Sequence, residues 1–158
     1  MKKRKIYLDT TIISYLDQQD APERMMETHK LWDKIKMGEF EVVISDVTTR
    51  EINDCEKEKR ETLLDYLKQI KPVLVSVDDK TIEIAERFVD FGILKQKSFD
   101  DCQHIASAIV SDSDMIVSWN FKHIVNPKTI TGAKIVTTVE GYKDLLICTP
   151  TMLIEEDE

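Results

Sequence analysis

Three acidic residues lie directly after a predicted strand or in the first two turns of a predicted helix. Asp9 directly follows a strand-like apolar stretch, Glu51 lies in the helix after the second predicted strand, and Asp101 lies near the start of a later helix. Singly, they are explained as a helix cap, a solvated surface group and a partner of the positive helix end. Together, three carboxylates repel one another and need a cation. Oxygen ligands select Mg²⁺ or Mn²⁺, which activates water and stabilises charge on a phosphate.

Polar neighbours of these acids are expected to support such a site. Thr10 and Thr11 follow the first acid, where their hydroxyls can bond a carboxylate or a phosphate oxygen. His104 lies one helical turn after Asp101 on the same face, where it either orients that carboxylate or is a buried histidine satisfied by backbone. Asp114, which precedes the fourth predicted strand, is a further supporting residue and a nearby substitute for Asn120, below which it ranks.

The segments that would position these residues alternate between strand-like and helix-like patterns. Strands are predicted over residues 5–8, 41–44, 73–77, 115–117 and 134–137. Helices between successive strands imply right-handed βαβ units and a parallel sheet covered on both faces. The predicted fold class is therefore α/β, three-layer α/β/α with a central parallel sheet of four to five strands. In such sheets the site lies at the carboxyl ends of the strands, where the strand order reverses.

Length and composition exclude several classes of protein. The 158 residues suffice for one domain, predicted over residues 1–150, with an acidic C-terminal tail over 151–158. No apolar run is long enough for a membrane helix or a secretory signal, so we expect a cytoplasmic protein without a membrane partner. The four glycines form neither a dinucleotide-binding motif nor a P-loop, which excludes Rossmann dehydrogenases and P-loop ATPases.

The net charge of −8, from 22 basic and 30 acidic side chains, bears on nucleic acids as partners. Affinity for nucleic acid comes largely from neutralising phosphates, so this charge lowers the expectation of tight binding without excluding catalytic turnover. A protein of this charge that acts on RNA needs a local basic path. The predicted members of that path are Arg50, Lys95, Lys97, Lys122 and Lys128.

Four short motifs occur in order along the chain. They are Leu-Asp-Thr at 8–10, Ser-Asp-Val at 45–47 leading to Glu51, Asp-Cys-Gln-His-Ile-Ala at 101–106, and Val-Ser-Trp-Asn-Phe-Lys-His-Ile at 117–124. Their order resembles the PIN domain family and, more narrowly, the VapC-like toxin ribonucleases of type II toxin–antitoxin pairs. The similarity runs over roughly residues 5 to 150. The third and fourth motifs together are its most specific part.

This resemblance implies an endoribonuclease that depends on Mg²⁺ or Mn²⁺. Asp9, Glu51 and Asp101 match the family's regular acidic positions and are the implied metal ligands. The fourth position is often Asp in the family and is Asn120 here, which removes one negative charge and is expected to weaken a second metal ion more than the first. The resemblance also implies RNA as substrate, a homodimer, and an antitoxin protein that covers the acidic pocket.

Other interpretations of the same residues lead to different classes of protein. A PIN-like fold that has lost full catalysis through Asn120 would be a binding module for a protein or RNA partner. A haloacid-dehalogenase-like phosphatase requires Asp-x-Asp-x-Thr, and Thr11 occupies the second acidic position. A receiver domain needs an early acidic pair, which Asp9 lacks, and leaves the Trp-Asn-Phe-Lys-His block unexplained.

Overall fold

The computed structural model describes residues 2–155, which contain one five-stranded sheet. Its strands are β1 Arg4–Leu8, β2 Phe40–Ser45, β3 Val73–Val75, β4 Met115–Val117 and β5 Leu146–Cys148. Their order across the sheet is β3-β2-β1-β4-β5, and every pairing is parallel. The strand order therefore reverses between β1 and β4, whose carboxyl ends adjoin.

Helices cover both faces of this sheet. Within the described residues they are α1 Thr10–Ser14, α2 Pro22–Lys36, α3 Asp46–Asn53, α4 Lys57–Leu67, α5 Asp79–Asp90, α6 Phe99–Val110, α7 Pro127–Glu140 and α8 Pro150–Ile154. One core contains side chains of α1, α2, α4 and α8, and the other contains side chains of α5, α6 and α7. This arrangement confirms the predicted three-layer class with a parallel sheet. No helix in this part of the chain is long and apolar enough to cross a membrane.

Residues 6–8 of β1 and 115–117 of β4 are apolar throughout because both faces of the sheet are buried there. Ile6 and Leu8 pack in the first core, whereas Tyr7 between them packs in the second. In β4, Met115 and Ile116 divide between the two cores in the same way. Successive side chains of a strand point to opposite faces, so a strand covered on both faces reads as a continuous apolar run.

The strand predicted over residues 134–137 is wrong, because these residues lie inside α7. The β-branched side chains there favour a strand locally. The helix is stabilised at its ends instead: the side chain of Asn126 accepts a hydrogen bond from the Thr129 N–H at 2.9 Å, and Gly141 ends the helix with a φ of +77°. The fifth strand is β5, which pairs with β4.

The C-terminal end of the fold also differs from the predicted boundary at residue 150. α8 continues to residue 154, and its Leu153 is 2% exposed within the first core. Residues 151–154 therefore pack with the domain rather than forming a tail. Residues 156–158 of the predicted tail lie outside the described residues.

The backbone of α7 lies very close to the segment between α5 and α6 at Gly132. A Cβ atom placed on Gly132 would lie 2.6 Å from Ile93 Cγ1 and from Ile93 Cδ1, well inside van der Waals contact. Glycine costs about 1 kcal/mol in a helix relative to alanine, so this contact is the reason for a glycine at this position.

Gly132→Ala is expected to lower the free energy of unfolding by about 1–2 kcal/mol. Overpacking against Ile93 costs about 1–3 kcal/mol, and the helix preference of alanine offsets up to about 1 kcal/mol of it. Urea unfolding followed by circular dichroism measures the change. Lys134→Ala, on the exposed side of the same helix, is the control and should stay within about 0.5 kcal/mol of the wild type. A Gly132→Ala protein as stable as the wild type would contradict this packing.

Candidate active site

The side chain of Asp9 lies at the carboxyl end of β1, where the strand order reverses, and the residue is 2% exposed. Its Oδ1 accepts a hydrogen bond from Thr11 Oγ1 at 2.5 Å, and its Oδ2 accepts one from Ser118 Oγ at 2.7 Å. Asp9 precedes α1, but its side chain does not cap that helix. The carboxylate instead joins the end of β1 to the segment that follows β4.

The charge of Asp9 is only partly compensated by the side chains around it. Burial raises the pKa of its carboxyl group, and the nearby charge of Asp101 raises the pKa further. The charge of His104 and the hydroxyls of Thr11 and Ser118 act in the opposite direction, but the net pKa remains above its ordinary value. A cation at this position would therefore stabilise the ionised form.

The side chain of Asp101, from the first turn of α6, is held by the loop after β4. Its Oδ1 accepts a hydrogen bond from Asn120 Nδ2 at 3.3 Å, and its Oδ2 is bonded to His123 Nδ1 at 2.8 Å. The backbone N–H of Asn120 donates to Ser118 Oγ at 2.9 Å, which links this group to Asp9. Burial raises the pKa of the Asp101 carboxyl group, although the bond from His123 lowers it.

Glu51 projects from α3 into a separate set of hydrogen bonds. Its Oε1 accepts one from Thr10 Oγ1 at 2.7 Å and is bonded to His104 Nε2 at 2.6 Å. The other ring nitrogen of His104, Nδ1, is bonded to the hydroxyl of Tyr7 at 2.7 Å. The histidine that contacts Asp101 is thus His123. His104 was predicted to orient Asp101, but its ring nitrogens bond to Glu51 and Tyr7 instead.

Ser45 extends this network to the start of α3. The hydroxyls of Ser45 and Tyr7 are 2.7 Å apart, and Ser45 Oγ accepts a hydrogen bond from the Val47 N–H at 3.2 Å, as a helix cap does. A continuous path of hydrogen bonds therefore runs from the cap of α3 through Tyr7 and His104 to Glu51, one and a half turns along the same helix.

His104 and Glu51 form a charged pair inside this network. Burial alone lowers the pKa of the His104 imidazole, which is 2% exposed, but its interactions with Tyr7, Glu51 and Asp9 outweigh burial and raise the pKa to about 10. Burial raises the pKa of Glu51, but the hydrogen bond and charge of His104 reverse this and lower it below its ordinary value. The pair is therefore ionised at neutral pH.

Asp114 was predicted from the sequence to support this site, but it lies elsewhere in the structure. It precedes β4 and so lies at the amino end of the sheet, the edge opposite Asp9. Its Oδ2 accepts a hydrogen bond from the Lys5 backbone N–H at 2.7 Å, and its Oδ1 accepts one from Lys143 Nζ at 3.0 Å. These two bonds lower the pKa of Asp114.

Three residues of the site carry roles that the sequence analysis did not assign. Ser118 directly follows β4, as Asp9 directly follows β1. This shared position is the feature of the sequence from which its contact with Asp9 could have been predicted. His123 lies in the Trp-Asn-Phe-Lys-His block, but its spacing alone does not select Asp101 as its partner. Tyr7 is one apolar position of a buried strand, and nothing in the sequence distinguishes its hydroxyl.

The donor chemistry of this site suits a hard divalent cation held by few side chains. Among residues 2–155, no group of three or more His, Cys, Asp and Glu side chains is arranged to hold a metal ion. Mg²⁺ commonly uses one or two carboxylates and completes its shell with water. Asp9 and Asp101, each with a raised pKa, provide two such carboxylates, whereas Glu51 is engaged by His104.

Comparison with solved structures finds the same fold in a bacterial complex. A chain in the crystal structure of VapBC2 from Rickettsia felis, bound to a DNA fragment from their promoter, superposes with a TM-score of 0.56. The match covers 92% of this chain and 98% of that chain at 14% sequence identity. At this identity the two chains share a fold. The shared architecture agrees with the PIN-like fold expected from the motifs. No protein-family model and no curated protein sequence matches the chain.

The His104–Glu51 pair predicts a pH dependence of stability in protein treated with EDTA. The folded-state pKa of His104 is raised, so its contribution to the free energy of unfolding is complete below about pH 6.5, the ordinary pKa of histidine. This contribution is lost as the pH rises towards the folded-state value of about 10. The difference in unfolding free energy between wild type and His104→Gln should therefore shrink between these two pH values.

NMR titration of the imidazole ring measures the same effect directly. Glu51→Gln removes the partner charge and should lower the pKa of His104, whereas Glu58→Gln, on the exposed start of α4, should leave it unchanged. A His104 ring that titrates near pH 6.5 in the wild type would show that the ion pair does not form.

Proposed function

We propose that this protein is an endoribonuclease that hydrolyses RNA phosphodiester bonds with Mg²⁺ or Mn²⁺. The observation that carries the proposal is the pair of carboxylates with raised pKa, Asp9 and Asp101, at the point where the strand order reverses. Two enclosed carboxylates of this kind favour a divalent cation, and a ligand site is expected at this edge of a parallel sheet. The motif order and the fold shared with a chain of VapBC2 support the same class of activity.

In this proposal Asp9 and Asp101 bind the ion directly, and Glu51 acts through water. The ion would supply an activated water molecule and stabilise charge on the phosphate. Thr11 and Ser118 fix the orientation of the Asp9 carboxylate through their hydroxyl hydrogen bonds.

The remaining polar residues hold the other two acids in place. His104 and Thr10 hold the Glu51 carboxylate in place through hydrogen bonds to its Oε1. Asn120 and His123 hold Asp101, and the His123 side chain, 27% exposed, lies where the site meets the surface.

We further propose that the protein is the toxin of a toxin–antitoxin pair. In this role it would act on RNA in the cytoplasm as a homodimer, and an antitoxin protein would cover the acidic pocket. The support is the order of the four motifs together with the fold shared with a chain of VapBC2, a complex crystallised with DNA from its promoter.

Asn120 favours a second candidate function, a binding module with weakened catalysis. Where the family often has a carboxylate, this chain has an amide whose Nδ2 donates to Asp101 Oδ1 at 3.3 Å. This amide occupies an Asp101 oxygen that a metal ion would otherwise use. Folded protein that binds Mn²⁺ but cleaves neither structured nor unstructured RNA would favour this second function.

Wild-type protein should cleave RNA in Mg²⁺ or Mn²⁺ and lose that activity in EDTA. Asp101→Asn removes a ligand charge and should reduce the cleavage rate by about 100-fold or more, measured on labelled structured and unstructured RNAs. Asp114→Asn is the matched control, since it removes a carboxylate at the opposite end of the sheet and should retain wild-type activity. Cleavage that survives both EDTA and Asp101→Asn would indicate a contaminating nuclease or another mechanism.

Asn120→Asp is expected to tighten Mn²⁺ binding by about 10-fold, chiefly at a second site, because it places another carboxylate beside Asp101. Electron paramagnetic resonance of free Mn²⁺ measures both the affinity and the number of ions bound. Asn53→Asp, an exposed residue of α3, makes the same charge change elsewhere and should not alter binding. Unchanged metal affinity and cleavage in Asn120→Asp would refute the effect assigned to Asn120.

A further inference from the structure

A groove beside Asp101 is lined by four lysines that come from three separate segments. They are Lys95, Lys97, Lys122 and Lys128. The first two lie between α5 and α6, the third lies in the loop after β4, and the fourth lies at the start of α7. His123 lines the same groove, and its Nδ1 is 2.8 Å from Asp101 Oδ2. His123 therefore lies between the groove and Asp101 of the candidate active site.

All four of these lysines are exposed. Within the part of the chain that the structure describes, none of them lies within ion-pair distance of a carboxylate. Exposed lysines elsewhere do have such partners, as in Lys80–Glu83 at 3.5 Å. Arg50, the other predicted member of a basic path, pairs with Asp100 at 2.5 Å and does not line the groove.

Four lysines without a carboxylate partner among residues 2–155 thus line one groove of a protein whose net charge is −8. Like charges held together repel one another, and a bound anion removes that repulsion. Lysine contacts phosphate as a point charge and carries no information about the base, so a groove of lysines suits a nucleic-acid backbone of any sequence.

We propose that this groove binds the phosphates of single-stranded RNA on one side of the bond that is cut. The inference rests on the proposed ribonuclease function. Among polyanions we select RNA because His123, which lines the groove, also contacts Asp101 of the candidate active site. The groove aligns the strand, and the carboxylates act at its end. This arrangement gives an acidic protein a local route for a polyanionic substrate.

The test is binding of a short fluorescein-labelled oligouridylate to full-length protein in EDTA, followed by fluorescence anisotropy. EDTA prevents metal-dependent cleavage, so the measurement reports binding alone. The groove variant is Lys122→Gln with Lys128→Gln. The control is Lys30→Gln with Lys57→Gln, which makes the same change in net charge on α2 and α4, over the other face of the sheet.

The groove variant should bind the oligonucleotide about 10-fold more weakly, and the control should stay within about twofold of the wild type. Each lost phosphate contact reduces the slope of log K against log salt by about 0.7 for a single strand, so two lysines predict a reduction of about 1.4 between about 50 and 200 mM salt. All four substitutions are at exposed positions, and thermal melting by circular dichroism verifies that both variants are folded.

Equal weakening in the two variants, or none in either, would overturn the inference. The inference would also be overturned if labelled polyglutamate bound through Lys122 and Lys128 and RNA did not. That result would indicate that the groove binds an acidic protein. Cleavage assays separate this outcome from failure of the proposed function. Groove-dependent RNA binding without any cleavage refutes the ribonuclease alone, whereas cleavage with an unchanged KM in the groove variant refutes the groove alone.

Discussion

A carboxylate removed from water at the end of a central strand requires hydrogen-bond donors or a cation, and Asp9 is in this position. Because the strand order reverses between β1 and β4, the donors come from the segments after those two strands, namely Thr11 and Ser118. Ser118 in turn accepts from the backbone of Asn120, whose side chain contacts Asp101. The buried charge thus determines the course of the loop after β4, and that loop determines where the second carboxylate is held.

The central sheet was largely predictable from the sequence, and the periphery was not. Strands buried on both faces read as short apolar runs bounded by polar residues, and β1 and β4 follow from such runs. The segment at 134–137 shows the limit, since its β-branched residues favour a strand while Asn126, Gly141 and packing against the sheet stabilise a helix. The edge strand β5, only three residues long, carries too little periodicity to be separated from a loop by pattern alone.

In the candidate site, topology decides where the acidic side chains lie, whereas rotamers decide which side chains they contact. The βαβ alternation predicts that Asp9, Glu51 and Asp101 lie at one edge of the sheet. In the structure, the charge of His104 lowers the pKa of each of these three acids, so all three lie near that histidine. Helical spacing makes Asp101 and His104 neighbours, yet His104 turns to Tyr7 and Glu51. Those partners come from other elements, and sequence separation carries no information about them.

The contact between Gly132 and Ile93 has a consequence at the surface. Ile93 belongs to the second core and also lines the lysine groove, as does Lys128 at the start of the same helix as Gly132. This contact therefore fixes how closely α7 packs against the segment that contains Ile93. A change of one buried methyl group at this contact would therefore reach the surface of the groove while leaving every lysine in the sequence.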